Sequence, residues 1–504
     1  MATITQRRLI VGMEVHVELA TRAKMFTPAA NVAHPSNFDA PPNTLCDAVS
    51  IALPGALPTM NHEALEMSML VGMALDCEIA DRCQWDRKNY FYPDLPKGYQ
   101  ITQYEHPICG PGRMDFECDG EPCSVRIIRA HLEEDTGKSG HELPGGQVID
   151  GSIVDYNRAG TPLLEIVTEP DLTSAAQTVA FARELRAICR SLGVTEGIMQ
   201  KGHMRFEPNI NMVFTLDDDR EVRTPIAEIK NLNSFRAVEH AIEYEMQRQE
   251  DQWLKDGIEM GPGAKSTRGW DERGNRTMLQ RSKEDAHDYR YFPEPDLVPL
   301  EIDDAWRARI RANLTELPMA RRARWMDAMG LTAKDAAALN EEAHTAAFFE
   351  QCTGVMVDAG MAQNVAGPSA AKLLLNAGAR LANERSCAIE TLGITADQVA
   401  SVALLRDAGG IGSTAADAVF EALCDSDESA EDAANRLGLV QVSDAGALDT
   451  WIDEALAAHP QAADDFAHGK DAAMGRIMGH IMKASGGSAD AGSVRGRLIE
   501  RLRG

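Results

Sequence analysis

Near the start of the chain, two glutamates and a histidine recur at two-residue spacing, as Glu14-Val-His16-Val-Glu18. A strand has a side-chain period of two, so the three share one face and could converge on a divalent cation. Oxygen donors with one imidazole suit Mg2+ or Mn2+ better than a structural zinc. The alternative is a strand whose polar face simply meets water. His131-Leu-Glu-Glu-Asp135 and Leu163-Leu-Glu-Ile-Val-Thr-Glu169 supply further carboxylates, with Glu165 and Glu169 on one face by parity. Together with Glu14 and His16 they make a candidate hard-metal ligand set. In nucleotide chemistry such an ion neutralises phosphate oxygens and developing charge.

Three other segments have the composition of a site lining. Asp86–Gln103 crowds prolines, glycine, tyrosines and phenylalanine between Arg87, Lys88 and Lys97. Its cations could meet phosphates and its rings could stack on a base, although a structural Ω-loop has the same composition. Arg281–Pro293 resembles it, with Arg281, Lys283 and Arg290 beside His287 and Asp288, and Glu228–Ser234 is rich in amides and hydroxyls. The G-x-K-S of Gly261–Thr267 lacks the spacing of a phosphate-binding P-loop. Cys83, Cys109, Cys118 and Cys123 are poorly spaced for a zinc site. No serine or cysteine nucleophile motif occurs in a strand-turn-helix context.

These groups need elements to hold them. Val11–Leu19 alternates strictly, with Val11, Met13, Val15, Val17 and Leu19 opposite the polar set. Val125–Leu132 and Leu163–Val167 also read as strands, and Thr173–Leu192 as an amphipathic helix. The chain has 504 residues, enough for several domains, and its texture changes once. Three prolines in Phe292–Pro299 close a mixed first part, and Ala-rich, helix-period sequence follows. The expected architecture is α+β, with a catalytic domain over 1–297, a helical domain over 298–400 and an α-helical tail over 401–504. In the tail, Met474, Ile477, Met478, Ile481 and Met482 make a core-facing helical stripe.

Fifty basic groups against 77 acidic ones give a net charge of −27, which excludes a whole-surface nucleic-acid coater or a polybasic membrane binder. A local basic site is still compatible with an acidic body. Residues 401–469 hold two basic and fourteen acidic groups, whereas 470–504 hold seven and three. With no apolar leader and no long apolar run, a cytoplasmic protein without a membrane span is expected.

Gly12–Leu19, Leu53–Pro58, Arg87–Ile101, His131–Asp135, Val154–Val167, Ile229–Phe235 and Ala286–Pro293 occur in one order. In that order and over the full length, the chain closely resembles the B subunits of the aspartyl/glutamyl-tRNA amidotransferases, the GatB/GatE type. The resemblance implies a cradle-shaped, glutamine-synthetase-like mixed-sheet catalytic domain, then a helical domain and a YqeY-like tail. It also implies a ligase that forms carbon–nitrogen bonds with glutamine as amido donor. ATP and Mg2+ would activate the side-chain carboxylate of misacylated Glu-tRNA(Gln) or Asp-tRNA(Asn). Ammonia from a glutaminase-type amidase A subunit would then displace phosphate, with a small C subunit completing a heterotrimer. A tRNA-binding scaffold without catalysis is the competing reading.

Position by position, Glu14, His16, Glu134 and Glu165 match the family's metal-site motifs. Lys88, Tyr90, Tyr92 and Lys97 fall beside nucleotide or acceptor end, and Arg205, Lys230, Arg281 and Arg290 are candidate phosphate contacts. Lys470, Arg476 and Lys483 are the candidate tRNA grip, with the −12 stretch facing away. The sequence departs from the family's M-E-E-G-S-[ML]-R-C-D-A-N-V-S at Met199–Asn211, where Gln200 and Lys201 replace acids and Glu207 replaces Asp. Ala264-Lys-Ser-Thr267 stands where V-Q-E-T is usual.

Overall fold

The computed structural model describes residues 3–143, 146–282, 289–441, 445–485 and 489–503. It divides into two compact units, Met1–Met319 and Ala320–Gly504. The first is built on one large mixed sheet. Its main strands in chain order are β1 (Ile4–Glu18), β2 (Asp86–Asn89), β3 (Tyr99–Thr102), β4 (Glu121–Glu134) and β5 (Pro162–Thr168). They continue with β6 (Met204–Leu216), β7 (Ala227–Lys230), β8 (Ser266–Asp271), β9 (Arg276–Ser282) and β10 (Phe292–Pro293). Their spatial order is β9-β8-β7-β6-β1-β5-β4-β3-β2-β10. Only the β7–β8 pairing among these neighbours is parallel.

Strand parity divides the sheet into two chemically opposite faces. Val11, Met13, Val15 and Val17 of β1 are at most 1% exposed, and Leu132, Leu164, Ile166, Phe206 and Ile229 join them in one core. Three helices contribute to that core: α1 (His62–Ala74), α2 (Ala175–Ser191) and α3 (Phe235–Asp256). Each starts where an N-cap accepts a backbone N–H: Asn61 from Glu63, Ser174 from Gln177 and Ser234 from Ala237. β1 lies between β6 and β5, with Glu14 opposite Glu207, His16 opposite both Arg205 and Glu165, and His131 opposite Glu165. Paired residues in an antiparallel ladder share a face, so this register assembles the polar groups side by side.

The proline-rich segment at 292–299 falls inside the first unit. Phe292–Pro293 pairs with β2, and Leu300–Glu301 pairs with Arg82–Cys83. The second unit is helical with two cores. One runs from Trp325 to Ala434 and the other from Leu448 to Leu498. Position 400 is inside the helix Ala396–Asp407, so the first of these cores continues past it. Ile477 and Ile481 are fully buried in the second, with Met478 and Met482 packed against it. Among the described residues no helix is long and apolar enough to cross a membrane.

Phe206 stands where the related motif has cysteine. Its ring is 1% exposed and packs 5.9 Å from that of Phe235, joining β6 to the first turn of α3. Truncating Phe206→Ala removes this bulk from a core that cannot fully collapse. The change should cost roughly 3–5 kcal/mol, read as a lower denaturant midpoint of the first unit's transition.

Candidate active site on the polar face of the sheet

The face opposite the helices carries two groups of possible metal ligands. In the first, one ligand atom each from His16, Glu133 and Glu165 lie within 4.8 Å of one another. His16 Nε2 is 3.4 Å from a Glu165 carboxylate oxygen, and His131 Nε2 is 3.6 Å from the same oxygen. Thr102 donates a 3.1 Å hydrogen bond to Glu133. The second group is Glu14, Glu207 and Glu228, with the same closeness. Asn209 donates to Glu14 at 2.9 Å, and Thr267 donates to Glu228 at 3.2 Å. Lys230 bridges Glu207 and Glu228.

Crowding sets the protonation of these groups. Burial alone would lower His16, yet Glu165 and Glu207 outweigh it and raise the imidazole to about 9. Glu165 is held well below the usual carboxylate range: burial opposes this, but His131, His16 and Lys88 prevail. His131 is pushed down to about 4 by burial, with Arg129 and Lys88 adding to it. Burial, then Glu165 and Glu228, raises Glu14. The residues fit a bound cation. Among the described residues His16 Nδ1 and Asn209 Oδ1 are buried without a hydrogen-bond partner, and the donors are carboxylate oxygens plus one imidazole.

Of the four residues expected to form one metal site, His16 and Glu165 come together, and Glu14 belongs to the adjoining group. Glu134 does not join them. Strand parity points Glu133, like His131, onto the shared face, while Glu134 turns away. Its carboxylate pairs with Lys97 and accepts the Ile101 backbone N–H at 3.0 Å. Glu133, Glu207 and Asn209 belong to the two groups although the motifs do not mark them. Alternation from His131 identifies Glu133, and alternation along Met204–Leu216 identifies the other two.

The expected phosphate and nucleotide contacts are dispersed. Lys88 is beside the first group, where burial opposes but Glu133 and Glu165 favour its charge. It lies 5.2 Å from the Tyr289 ring, which stacks edge-on with Tyr90. Tyr92 is exposed on a loop whose neighbour Phe91 is 92% exposed. Arg205 is not free. It donates to Asp135 at 2.7 Å and to Glu18 at 3.1 Å, and Arg158 approaches both carboxylates. Burial and Asp135 push Glu18 up to about 8.

Arg281 is exposed opposite Thr267, and the exposed Arg290 gives its carbonyl to Asn89 at 2.8 Å. Lys283, His287 and Asp288 lie outside the described residues. All ten cysteines are free, and among the described residues no candidate metal group contains one.

In the tail, Lys470 pairs with Asp465 at 2.9 Å, Arg497 with Asp449 at 2.7 Å and Arg501 with Asp449 at 3.1 Å. The acidic stretch therefore faces part of the basic one. Arg476 and Lys483 are exposed on the helix Met474–Ala484, two turns apart, with no ion pair among the described residues.

With this geometry in hand, the family is plain: the chain belongs to the GatB/GatE family. The GatB/GatE catalytic domain matches residues 9–308, and a GatB domain matches 356–502. Proteins similar over nearly their whole length are the B subunits of the aspartyl/glutamyl-tRNA(Asn/Gln) amidotransferases of Moorella thermoacetica, Listeria welshimeri and Geobacillus thermodenitrificans. The first is 40% identical, covering 98% of this chain and 99% of the relative. The others are 42% and 40% identical, each over 98% of both chains.

The altered strand entrance forms its own contacts. Gly202 turns the chain at φ 86°, a left-handed conformation that costs glycine little. Lys201 then lies over the Phe38 ring at 4.3 Å, and His203 packs 4.9 Å from the same ring. Burial, with Lys201 nearby, lowers His203 to about 4, against 6.5 for an unhindered imidazole. Between those values the unfolded chain binds a proton that the folded chain refuses, so stability falls as pH drops from 6.5 to 4. His203→Ser should flatten this part of the pH–stability curve, measured by urea denaturation of both proteins across that interval.

Proposed function

We propose that the chain activates the side-chain carboxylate of a misacylated Glu-tRNA(Gln) or Asp-tRNA(Asn) by phosphorylation from ATP and then amidates it. The supporting observation is the pair of adjoining carboxylate groups on one sheet face, flanked by Lys88 and Lys230. A carboxylate is a poor acylating agent, and phosphorylation gives it a leaving group. Phosphoryl transfer demands positioning and positive charge more than a protein nucleophile.

His16, Glu133 and Glu165 would hold one Mg2+, and Glu14, Glu207 and Glu228, with Asn209 Oδ1, a second. Such ions neutralise phosphate oxygens and the charge that develops on them. Lys88 adds a cation beside the first group. Arg205 stays committed to Glu18 and Asp135 and fixes the end of the face rather than touching phosphate. Ammonia would come from a glutaminase-type A subunit, with a small C subunit joining both. The protein would work in the cytoplasm, where tRNA is charged.

The test uses the purified complex, a misacylated tRNA and labelled ATP, with Mg2+ varied. Glu133→Gln and Glu165→Gln should each lower the phosphorylation rate roughly 100-fold and raise the Mg2+ needed for half-maximal rate. Glu134→Gln should leave that Mg2+ requirement unchanged. Glutaminase activity of the complex should persist in all three. Full product formation by the first two variants would overturn this assignment of the site.

The tail offers a separate measurement. Lys483→Glu should weaken tRNA binding and reduce its salt dependence by about one phosphate contact. Lys470→Glu should do less, because Asp465 already neutralises that ammonium. Equal effects would remove the distinction between paired and unpaired cations.

A further inference from the structure

Two imidazoles reach the first carboxylate group. His16 Nε2 is 3.4 Å from a Glu165 oxygen. His131 Nε2 is 3.6 Å from the same oxygen and 3.9 Å from Glu133, and the residue is 6% exposed. By distance, either ring could bind an ion held between the two carboxylates.

The nitrogen on the far side of each ring separates them. Arg129 Nε donates to His131 Nδ1 at 3.3 Å. A guanidinium offers donors only, so Nδ1 must accept and the ring's single proton sits on Nε2. That nitrogen has no lone pair left for a cation. It can only donate, and the oxygens of Glu165 and Glu133 are the acceptors in front of it. Carboxylates that ligate metals are commonly oriented by such outer partners. His16 is under no such restriction. Its Nδ1 has no hydrogen-bond partner among the described residues, and Glu207 lies 3.9 Å away, so a proton placed there leaves Nε2 open to an ion.

The fold keeps Arg129 in this position. The pairing of β4 with β5 is irregular between Ile127 and Arg129, and an irregularity of this kind re-aims the residues that follow it. Ile127 is 2% exposed in the core, whereas Arg129 and His131 follow on the polar face. The rest of the guanidinium is spent on main chain. It donates to the Tyr104 carbonyl at 2.6 Å and to the Gln103 carbonyl at 2.8 Å. Both lie just beyond β3, whose Thr102 holds Glu133. The planar fork cannot swing away from the ring without losing these bonds.

A second imidazole would change the metal that the group prefers. Carboxylates suit Mg2+ and Mn2+, and each added nitrogen moves a site toward Zn2+. We propose that Arg129 holds His131 as a hydrogen-bond donor to the ligand carboxylates and so bars it from the ion, keeping the group selective for Mg2+ over Zn2+. The proposal rests on the ion-binding reading of the group given above. It adds which imidazole ligates and what excludes the other.

The probe is Mn2+ alone, bound at saturation to the purified complex and read by pulsed electron paramagnetic resonance, which counts directly ligated nitrogens. The wild type should show one imidazole nitrogen, lost in His16→Gln and retained in His131→Gln. Arg129→Leu should show two, with a Zn2+ Kd by calorimetric titration roughly tenfold below wild type. The double variant Arg129→Leu/His131→Gln should return both readings to wild-type values. Two nitrogens in the wild type, or a single one lost in His131→Gln, overturn the proposal and leave the ion-binding reading intact. An Arg129→Leu protein that folds by circular dichroism, yet keeps one nitrogen and an unchanged Zn2+ Kd, overturns it as well. Should that variant not fold, the wild-type and histidine-variant spectra decide. No ligated nitrogen in the wild type removes the ion from this group, and the reading beneath the proposal falls with it.

Discussion

Six glutamates, Glu14, Glu18, Glu133, Glu165, Glu207 and Glu228, are brought onto one face of one sheet, and none is fully exposed. Carboxylates in so small and dry a volume cannot all ionise without compensation. Most of what surrounds them answers that constraint. Arg205 and Arg158 hold Asp135 and Glu18, Lys230 holds Glu207 and Glu228, and His16, whose proton a bound metal ion would displace, lies between Glu165 and Glu207. The remainder is a deficit of positive charge around Glu14 and Glu133, whose carboxyl groups burial pushes above the usual carboxylate range. Divalent cations, if held there as proposed, would meet that deficit.

The cations divide by chemistry. Guanidinium groups, always charged and able to fork, occupy the fixed end at Glu18 and Asp135. Lys230 pairs directly with Glu207 and Glu228, and Glu133 and Glu165 favour the charge of Lys88. The departures from the related motif form a local set. Lys201, His203 and Phe38 pack on one another, Phe206 fills the space beneath α3, and Glu207 reaches Lys230. The face keeps its carboxylates while its support is rebuilt.

Strand period was the most legible signal in the sequence. Alternation over Val11–Leu19 places Glu14, His16 and Glu18 on one face and the aliphatic residues in the core, as found. The helix expected over Thr173–Leu192 runs from Ala175 to Ser191 behind its Ser174 cap. Motif matching is blind where two adjacent residues are chemically identical. In His131-Leu-Glu-Glu it names Glu134, whereas pleating selects Glu133. Pairings between distant segments were not legible, since they depend on register. Arg205 reads as a free phosphate contact until β6 is set beside β1. Charge totals over 401–469 and 470–504 failed in the same way, by treating as separate what folding pairs.

The position of β1 has a consequence for how the chain is made. β1 is central in the sheet, and it pairs from Ile4↔Leu216 to Val17↔Met204. Its core-facing residues thus have no strand partner until β5, some 150 residues further on, has been synthesised, about 7–30 s at ordinary elongation rates. Contacts so distant in sequence close slowly. During that wait the nascent segment presents an apolar edge on one side and a row of carboxylates on the other. The carboxylates of the polar face keep neighbouring nascent chains apart by mutual repulsion, so that face also protects the unfinished sheet from joining the wrong partner.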